Sequence, residues 1–171
     1  FRDCSFNDGL NMGGISSQMR FYECSFRASY GKSPVSSIQC GGNTWFRNCD
    51  MFMESNTTFY VRDSSGEIRI KDSEIHANDA SAMEIIATVD MASSNWVGVS
   101  LHQCRLLNNS STVNDKDCIV VTNAPGNSAR EVGAYIDITK SEVSGNIRDG
   151  INCTEGYVDF TYSTIWGWHD S

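Results

Sequence analysis

The chain has 171 residues, a formal net charge of −8 and a sequence pI near 4.7, with 40% apolar and 20% charged residues. Such a composition excludes a disordered chain and disfavours nucleic acid as a partner, because a phosphate backbone calls for a basic surface. No apolar run approaches the ~18 residues of a membrane helix, so no membrane partner is expected either.

By length the chain is one ordinary domain, and residues 1–171 read as a single unit. It opens on "FRDCSF" (1–6), and that phrase returns as "FYECSF" (21–26) and "FRNCDM" (46–51). With Ser allowed for Cys it continues as "IRIKDSEI" (68–75), "VSLHQCRL" (99–106), "IDITKSEV" (136–143) and "VDFTYSTI" (158–165). The shared pattern is apolar, any, apolar, any, any, Cys or Ser, any, apolar. Its second apolar position falls at Phe1, Phe21, Phe46, Ile70, Leu101, Ile138 and Phe160.

A second apolar stretch separates the copies: "GISS" (14–17), "SIQC" (37–40), "TFYV" (58–61), "EIIA" (84–87), "CIVV" (118–121) and "GINC" (150–153). Polar residues Asn78, Asn109 and Asn146 close several phrases. Alternation with period two marks strands, and no segment sustains a helical period. The same strand recurs in the same direction every ~20–25 residues, with two longer intervals, which a hairpin architecture does not give. A parallel β-solenoid does, with one coil per repeat. Each coil then sets its side chains over those of the last, about 4.8 Å away. Phe, Ile and Leu form an interior ladder. Cys4, Cys24, Cys49, Ser73, Cys104, Ser141 and Ser163 form a second ladder of small residues at an inward turn.

These residues resemble the right-handed, single-stranded parallel β-helix superfamily, the pectate-lyase-like fold, through a pattern of the type V-x-I-x-N-C-x-F-x-x-N … G-I. The resemblance covers essentially the whole chain. It implies an all-β, right-handed parallel β-helix of about seven coils. It leaves activity open among polysaccharide lyases and hydrolases, epimerases, bacterial adhesins and phage tailspikes.

Seven cysteines are present, four of them in the turn ladder, while Cys40 and Cys153 share a place on the second strand and Cys118 begins its own copy. Neighbouring coils bring Cα atoms within disulfide range, so Cys4–Cys24 or Cys24–Cys49 bridges are geometrically allowed. Free, buried thiols acting as small apolar fillers are the favoured reading. No Cys/His cluster suggests zinc, and no metal site is expected from the sequence apart from the Ca²⁺ option below.

Outward positions form ladders of their own. One reads Arg20, Trp45, Arg69, Ser100, Asp137, Asp159; its neighbour reads Arg2, Tyr22, Arg47, Lys71, His102, Thr139, Thr161. Asp137 and Asp159 fall on consecutive coils, about 5 Å apart at Cα. Such a pair suits glycoside chemistry and also suits Ca²⁺, and a solvated face is the ordinary alternative. The two longest coils carry insertions at 88–96 and 123–134 on one side, and longer loops also occur at the other corner, at 28–36 and 109–117. Loops on a rigid scaffold tend to carry recognition. Trp45, Trp96, Asn95, Asn127 and Arg130 are therefore the expected glycan-binding residues, with Trp166 and Trp168 capping the core or touching the next coil. N-x-[ST] triplets at Asn56, Asn108, Asn109 and Asn152 would matter only in a secreted eukaryotic chain.

The sequence begins mid-strand at Phe1, shows no leader-like segment and ends soon after the seventh phrase, uncapped at both ends. It reads as one stretch of a longer β-helix. The expected role is that of a viral tailspike or tail-fibre β-helix, or a bacterial adhesin. It would sit on a virion surface or outside the cell, form a homo-oligomer (a trimer) or meet an end-to-end neighbour, and bind a polysaccharide or cell-surface glycan. A polysaccharide lyase, glycoside hydrolase or epimerase using Asp137 and Asp159 is the alternative, and a purely structural shaft is a third.

Overall fold

The computed structural model describes residues 1–29, 31–54, 56–78, 80–88, 96–109, 117–123, 133–146, 150–154 and 156–167, without the side chains of Trp96, Asn109 and Asn146. Coil by coil, the strands are β1 (Ser5–Phe6) and β2 (Leu10–Asn11); β3 (Met19–Tyr22), β4 (Ser25–Phe26) and β5 (Val35–Ile38); β6 (Thr44–Arg47), β7 (Asp50–Met53) and β8 (Phe59–Arg62). There follow β9 (Ile68–Lys71), β10 (Glu74–Ala77) and β11 (Met83–Ala87); β12 (Trp96–His102), β13 (Arg105–Asn109) and β14 (Ile119–Asn123). The last are β15 (Gly133–Thr139), β16 (Glu142–Asn146) and β17 (Ile151–Thr154), then β18 (Tyr157–Thr161) and β19 (Thr164–Gly167).

They stack in chain order into three parallel sheets. Sheet 1 holds β3, β6, β9, β12, β15 and β18. Sheet 2 holds β1, β4, β7, β10, β13, β16 and β19. Sheet 3 holds β2, β5, β8, β11, β14 and β17. The chain is thus an all-β parallel solenoid, as the repeat implies.

Three details differ from the sequence reading. The phrase is not one strand but two, split between sheets 1 and 2 by a corner. And the first strand of sheet 3 is Leu10–Asn11, registered with Val35–Ser36, rather than the stretch at 14–17. Cys40 and Cys153 do not share a place either. Cys153 pairs in register with Val121 on β14, whereas Cys40 lies beyond the end of β5.

The corner inside the phrase is built identically in every coil. Asp3, Glu23, Asn48, Asp72, Gln103, Lys140 and Tyr162 all adopt φ between 50° and 55°. Left-handed backbone costs roughly 1–2 kcal/mol in a residue with a Cβ, and here inter-coil hydrogen bonding offsets it. The Glu23 N–H donates forward to the Arg47 carbonyl at 2.9 Å, while the Ser25 N–H donates backward to the Cys4 carbonyl at 2.9 Å. The corner therefore reverses the hydrogen-bond direction, and the residue between must find another acceptor. The next coil's side chain supplies it. The Cys49 N–H donates to Ser73 Oγ (3.0 Å), the Cys104 N–H to Ser141 Oγ (3.0 Å) and the Ser141 N–H to Ser163 Oγ (2.9 Å). This is why the ladder admits only small side chains that both donate and accept.

Inside, the apolar ladder closes as expected. Phe1, Phe21 and Phe46 stack with ring centroids 5.0 Å apart. Phe6 stacks on Phe26 at 4.9 Å, and Phe21 meets Phe26 edge-on at 5.5 Å. Higher coils continue these columns with Ile70, Leu101 and Ile138, and with Ile75, Leu106 and Val143, all at most 1% exposed. Edge-to-face and offset aromatic pairs add to burial, so the lower coils carry an aromatic core and the upper coils an aliphatic one.

All seven cysteines are free; Cys153 is exposed and Cys4 half-buried, and the other five are buried. Burial pushes the Cys104 thiol up to about 11 and the Cys118 thiol up to about 12. Such groups are inert fillers rather than nucleophiles. Asn108, within an N-x-[ST] triplet, is fully buried and closed to glycosylation.

Phe46→Ala should lower unfolding free energy by about 3–5 kcal/mol, read as a fall in the denaturation midpoint. An unchanged midpoint would contradict the stacked core. Raised folded-state thiol values also fix a sign. The stability they contribute is complete below the unfolded thiol value of about 8.5 and is lost as pH rises through about 11 to 12. Native protein should accordingly lose stability in alkali, and Cys104→Ala combined with Cys118→Ala should flatten that loss.

Candidate functional site

Outward side chains of sheet 1 stand in strict register. Arg20 faces Trp45, Trp45 faces Arg69, Arg69 faces Ser100, Ser100 faces Asp137 and Asp137 faces Asp159. Both outward ladders of the sequence reading are present, including the Arg2–Tyr22 step, which is an isolated bridge. The Arg20 guanidinium lies over the Trp45 ring at 4.1 Å, a stacked cation–π contact. One coil further on, Arg69 is fixed by Glu67 at 2.6 Å.

Asp137 and Asp159 sit on adjacent strands, each accepting a hydrogen bond from the threonine two residues on: Thr139 at 3.0 Å and Thr161 at 3.1 Å. Asp137 is half-buried and Asp159 exposed. Among the described residues neither carboxylate forms an ion pair. Their free oxygens face outward on a sheet surface, next to a ring and a guanidinium–carboxylate pair. Polar groups of this kind hydrogen-bond hydroxyls well, and the rings offer stacking surface.

The residue that sequence reasoning missed is Tyr135. Strands β12 and β15 begin earlier than β9: Trp96, Val97 and Gly98 pair only with Gly133, Ala134 and Tyr135, while pairing with β9 starts at Val99. The extra residues form a ledge above Glu67. Tyr135 lies flat across Gly98, where a Cβ would collide with its ring. Burial raises the Tyr135 phenol above its ordinary range; the Glu67 and Asp137 carboxylates add to the rise and Arg69 opposes it. The phenol therefore stays protonated beside two carboxylates. A signal existed in the sequence: a lone glycine inside the apolar run WVGVSL marks close approach.

Other expected residues fall out differently. Asn95, Asn127 and Arg130 lie outside the described residues, as do Trp168, His169 and the Trp96 side chain. Trp166 lies on the outer face of sheet 2, 44% exposed, and its Nε1 donates to Glu142 of the preceding coil at 3.0 Å. It touches a neighbouring coil and does not cap the core. His102 stands on the second ladder, and no partner meets its buried Nδ1. Among the described residues no group of three or more His, Cys, Asp or Glu could hold a metal ion. A groove of about 880 Å³ follows the corner between sheets 1 and 2. Arg105 and Glu142 pair across it at 3.7 Å, while its Asp72 and Asp50 pair with Arg47 at 3.5 Å and Arg27 at 2.6 Å, neither of which lines it.

Gly98→Ala should displace the Tyr135 ring and cost roughly 1–3 kcal/mol. The double variant with Tyr135→Ala should recover most of that loss in a denaturation cycle. Simple additivity of the two would show that the ring does not rest on Gly98.

No protein-family model matches the chain, no curated protein matches it, and no solved structure matches it.

Proposed function

We propose that the chain is a glycan-binding stretch of a surface-exposed parallel β-helix, with sheet 1 as its contact face. The observation that carries this is the outward column running from the Arg20–Trp45 stack to the Asp137–Asp159 pair. It combines an aromatic plane, a fixed guanidinium and unpaired carboxylate oxygens along one straight line of coils. A polysaccharide presents that same alternation of apolar ring faces and hydroxyls.

The finer placement rests on the sequence resemblance. Parallel crossover connections are right-handed in the great majority of folds, which agrees with the pectate-lyase-like superfamily. Within it, a phage tailspike or tail fibre, or a bacterial adhesin, fits a chain whose outer face binds without a dense catalytic constellation. Such a role implies a virion surface or extracellular location and a homo-oligomeric or end-to-end neighbour.

One observation favours a second reading: the direct register of two carboxylates on adjacent coils. A lyase, hydrolase or epimerase would use Asp137 and Asp159 on the glycan, with Ca²⁺ joining the pair in some such enzymes. Against it stands the lack, among the described residues, of any cationic partner within ion-pair distance of either carboxylate.

Co-sedimentation with a panel of bacterial surface polysaccharides, followed by mass spectrometry of the polymer, decides between them. The expected outcome is retention with the polymer intact. Trp45→Ala should weaken retention about fivefold to tenfold, the worth of one stacking contact. Short oligosaccharides lost in Asp137→Ala/Asp159→Ala would establish the enzyme instead. Neither binding nor cleavage would leave a structural shaft.

A further inference from the structure

A second column of outward side chains crosses sheet 3. Asn11 faces Ser36, Ser36 faces Tyr60 and Tyr60 faces Glu84, on four consecutive coils. Unlike the sheet 1 column, it lies in a cleft of about 550 Å³. Ligand pockets commonly have volumes of roughly 300–1,000 Å³.

The rim of the cleft is built by the corners that lead into β2, β5 and β8, and its parts are tied down. Lys32 pairs with Asp8 at 3.1 Å, and the Ser29 hydroxyl donates to Asp8 at 2.9 Å. The Gly9 N–H donates to the Arg27 carbonyl at 2.8 Å, and its φ of +81° holds the rim in a conformation that L side chains rarely adopt. On the far side, the Thr57 hydroxyl donates to Glu84 Oε1 at 2.5 Å, and Asn56 Oδ1 accepts the Thr57 N–H at 2.8 Å.

These bonds orient the lining without exhausting it. Glu84 Oε2 and the Asn56 amide N–H₂ remain, and among the described residues the side chains of Asn11, Ser36 and Tyr60 make no hydrogen bond. An aromatic ring is thus flanked by a carboxylate oxygen, amide groups and a hydroxyl in one recess. The charge balance narrows the ligand further. Asp8 is offset by Lys32, leaving Glu84, among the described residues, as the single uncompensated charge lining the cleft. One carboxylate is too few for a hard cation, which takes 6–8 oxygen ligands, and it repels an acidic ligand.

We infer that this cleft is a second carbohydrate subsite, taking a neutral hexose-sized unit with its apolar face on Tyr60 and vicinal hydroxyls on Glu84. It is separate from the sheet 1 face and does not depend on that reading. A chain carrying both would hold a branched or folded polymer on two sides of the solenoid.

The test is chemical-shift mapping on ¹⁵N-labelled protein, titrated with methyl α-glucopyranoside, methyl α-galactopyranoside and glucuronic acid. The expected result is saturable shifts centred on Ser36, Tyr60 and Glu84 with a neutral hexoside, and weaker ones with the uronic acid. Glu84→Gln, which keeps the shape of the site, should weaken that binding about tenfold. Tyr60→Ala should do the same, and Tyr60→Phe, which keeps the stacking plane, should bind nearly as well as the parent. Shifts confined to sheet 1, tighter binding of glucuronic acid, or no shift at tens of millimolar hexoside would each overturn the proposal. Failure here with polysaccharide still retained would leave the sheet 1 reading standing.

Discussion

Every coil of this protein passes through the same left-handed residue, and the remaining geometry depends on that corner. Along a parallel strand successive N–H groups point to the two neighbouring coils in turn, and the corner breaks that alternation. There the Gln103 N–H reaches forward to the Thr139 carbonyl at 3.1 Å and the Arg105 N–H reaches back to the Ser73 carbonyl at 3.0 Å. The coil is therefore bonded on both sides within three residues. The residue caught between them has a donor and no carbonyl to meet it, and buried donors without acceptors cost about 1–3 kcal/mol. On three coils a serine of the next coil resolves this, Ser73, Ser141 and Ser163 accepting in turn from Cys49, Cys104 and Ser141, while the left-handed conformation itself recurs seven times.

The same register imposes costs on the outer face. Like side chains stack on like coils about 4.8 Å apart, and like charges directly opposite one another are destabilising. Arg47 over Lys71 is relieved because Asp72 takes the Arg47 guanidinium at 3.5 Å. Asp137 over Asp159 has no such relief among the described residues; each carboxylate has only a threonine hydroxyl.

The interior was legible because its signal is periodic and chemical at once. Phe21, Phe46 and Ile70 repeat with the residues that flank them, so alternation and stacking could be read together, and the outward ladders followed by counting. The corner's place was legible as the inward turn of the small-residue ladder, but the left-handed residue that makes it was only partly marked, at Asp3, Asn48 and Asp72. Left-handed residues usually announce themselves as Gly, Asn or Asp, but Glu23, Gln103, Lys140 and Tyr162 carry no such mark. Here the inter-coil ladder, not local propensity, sets φ. That also explains why one phrase was read where two strands exist. The first strand of sheet 3 was missed because Leu10–Asn11 is two residues long and is placed by its pairing with Val35–Ser36, not by pattern. Tyr135 escaped for a different reason: its importance lies in a neighbour, Gly98, on the preceding coil.

In a solenoid each coil touches only the coils beside it, so two sites on different sheets share energy only through coils they have in common. The sheet 3 cleft draws on the first four coils, from Asp8 to Glu84. The Tyr135–Asp137–Asp159 end of sheet 1 draws on the fifth to seventh, and reaches down to the fourth through Arg69 and Glu67. Glu67, just before β9, and Glu84, on β11, belong to that one shared coil, with β10 between them. Between them runs the aliphatic part of the core, Ile70, Ile75 and Ile85, each at most 1% exposed and packed without polar links. If both faces bind glycan as proposed, they act on a shared polymer through proximity, and the gain in overall binding follows effective concentration along the glycan.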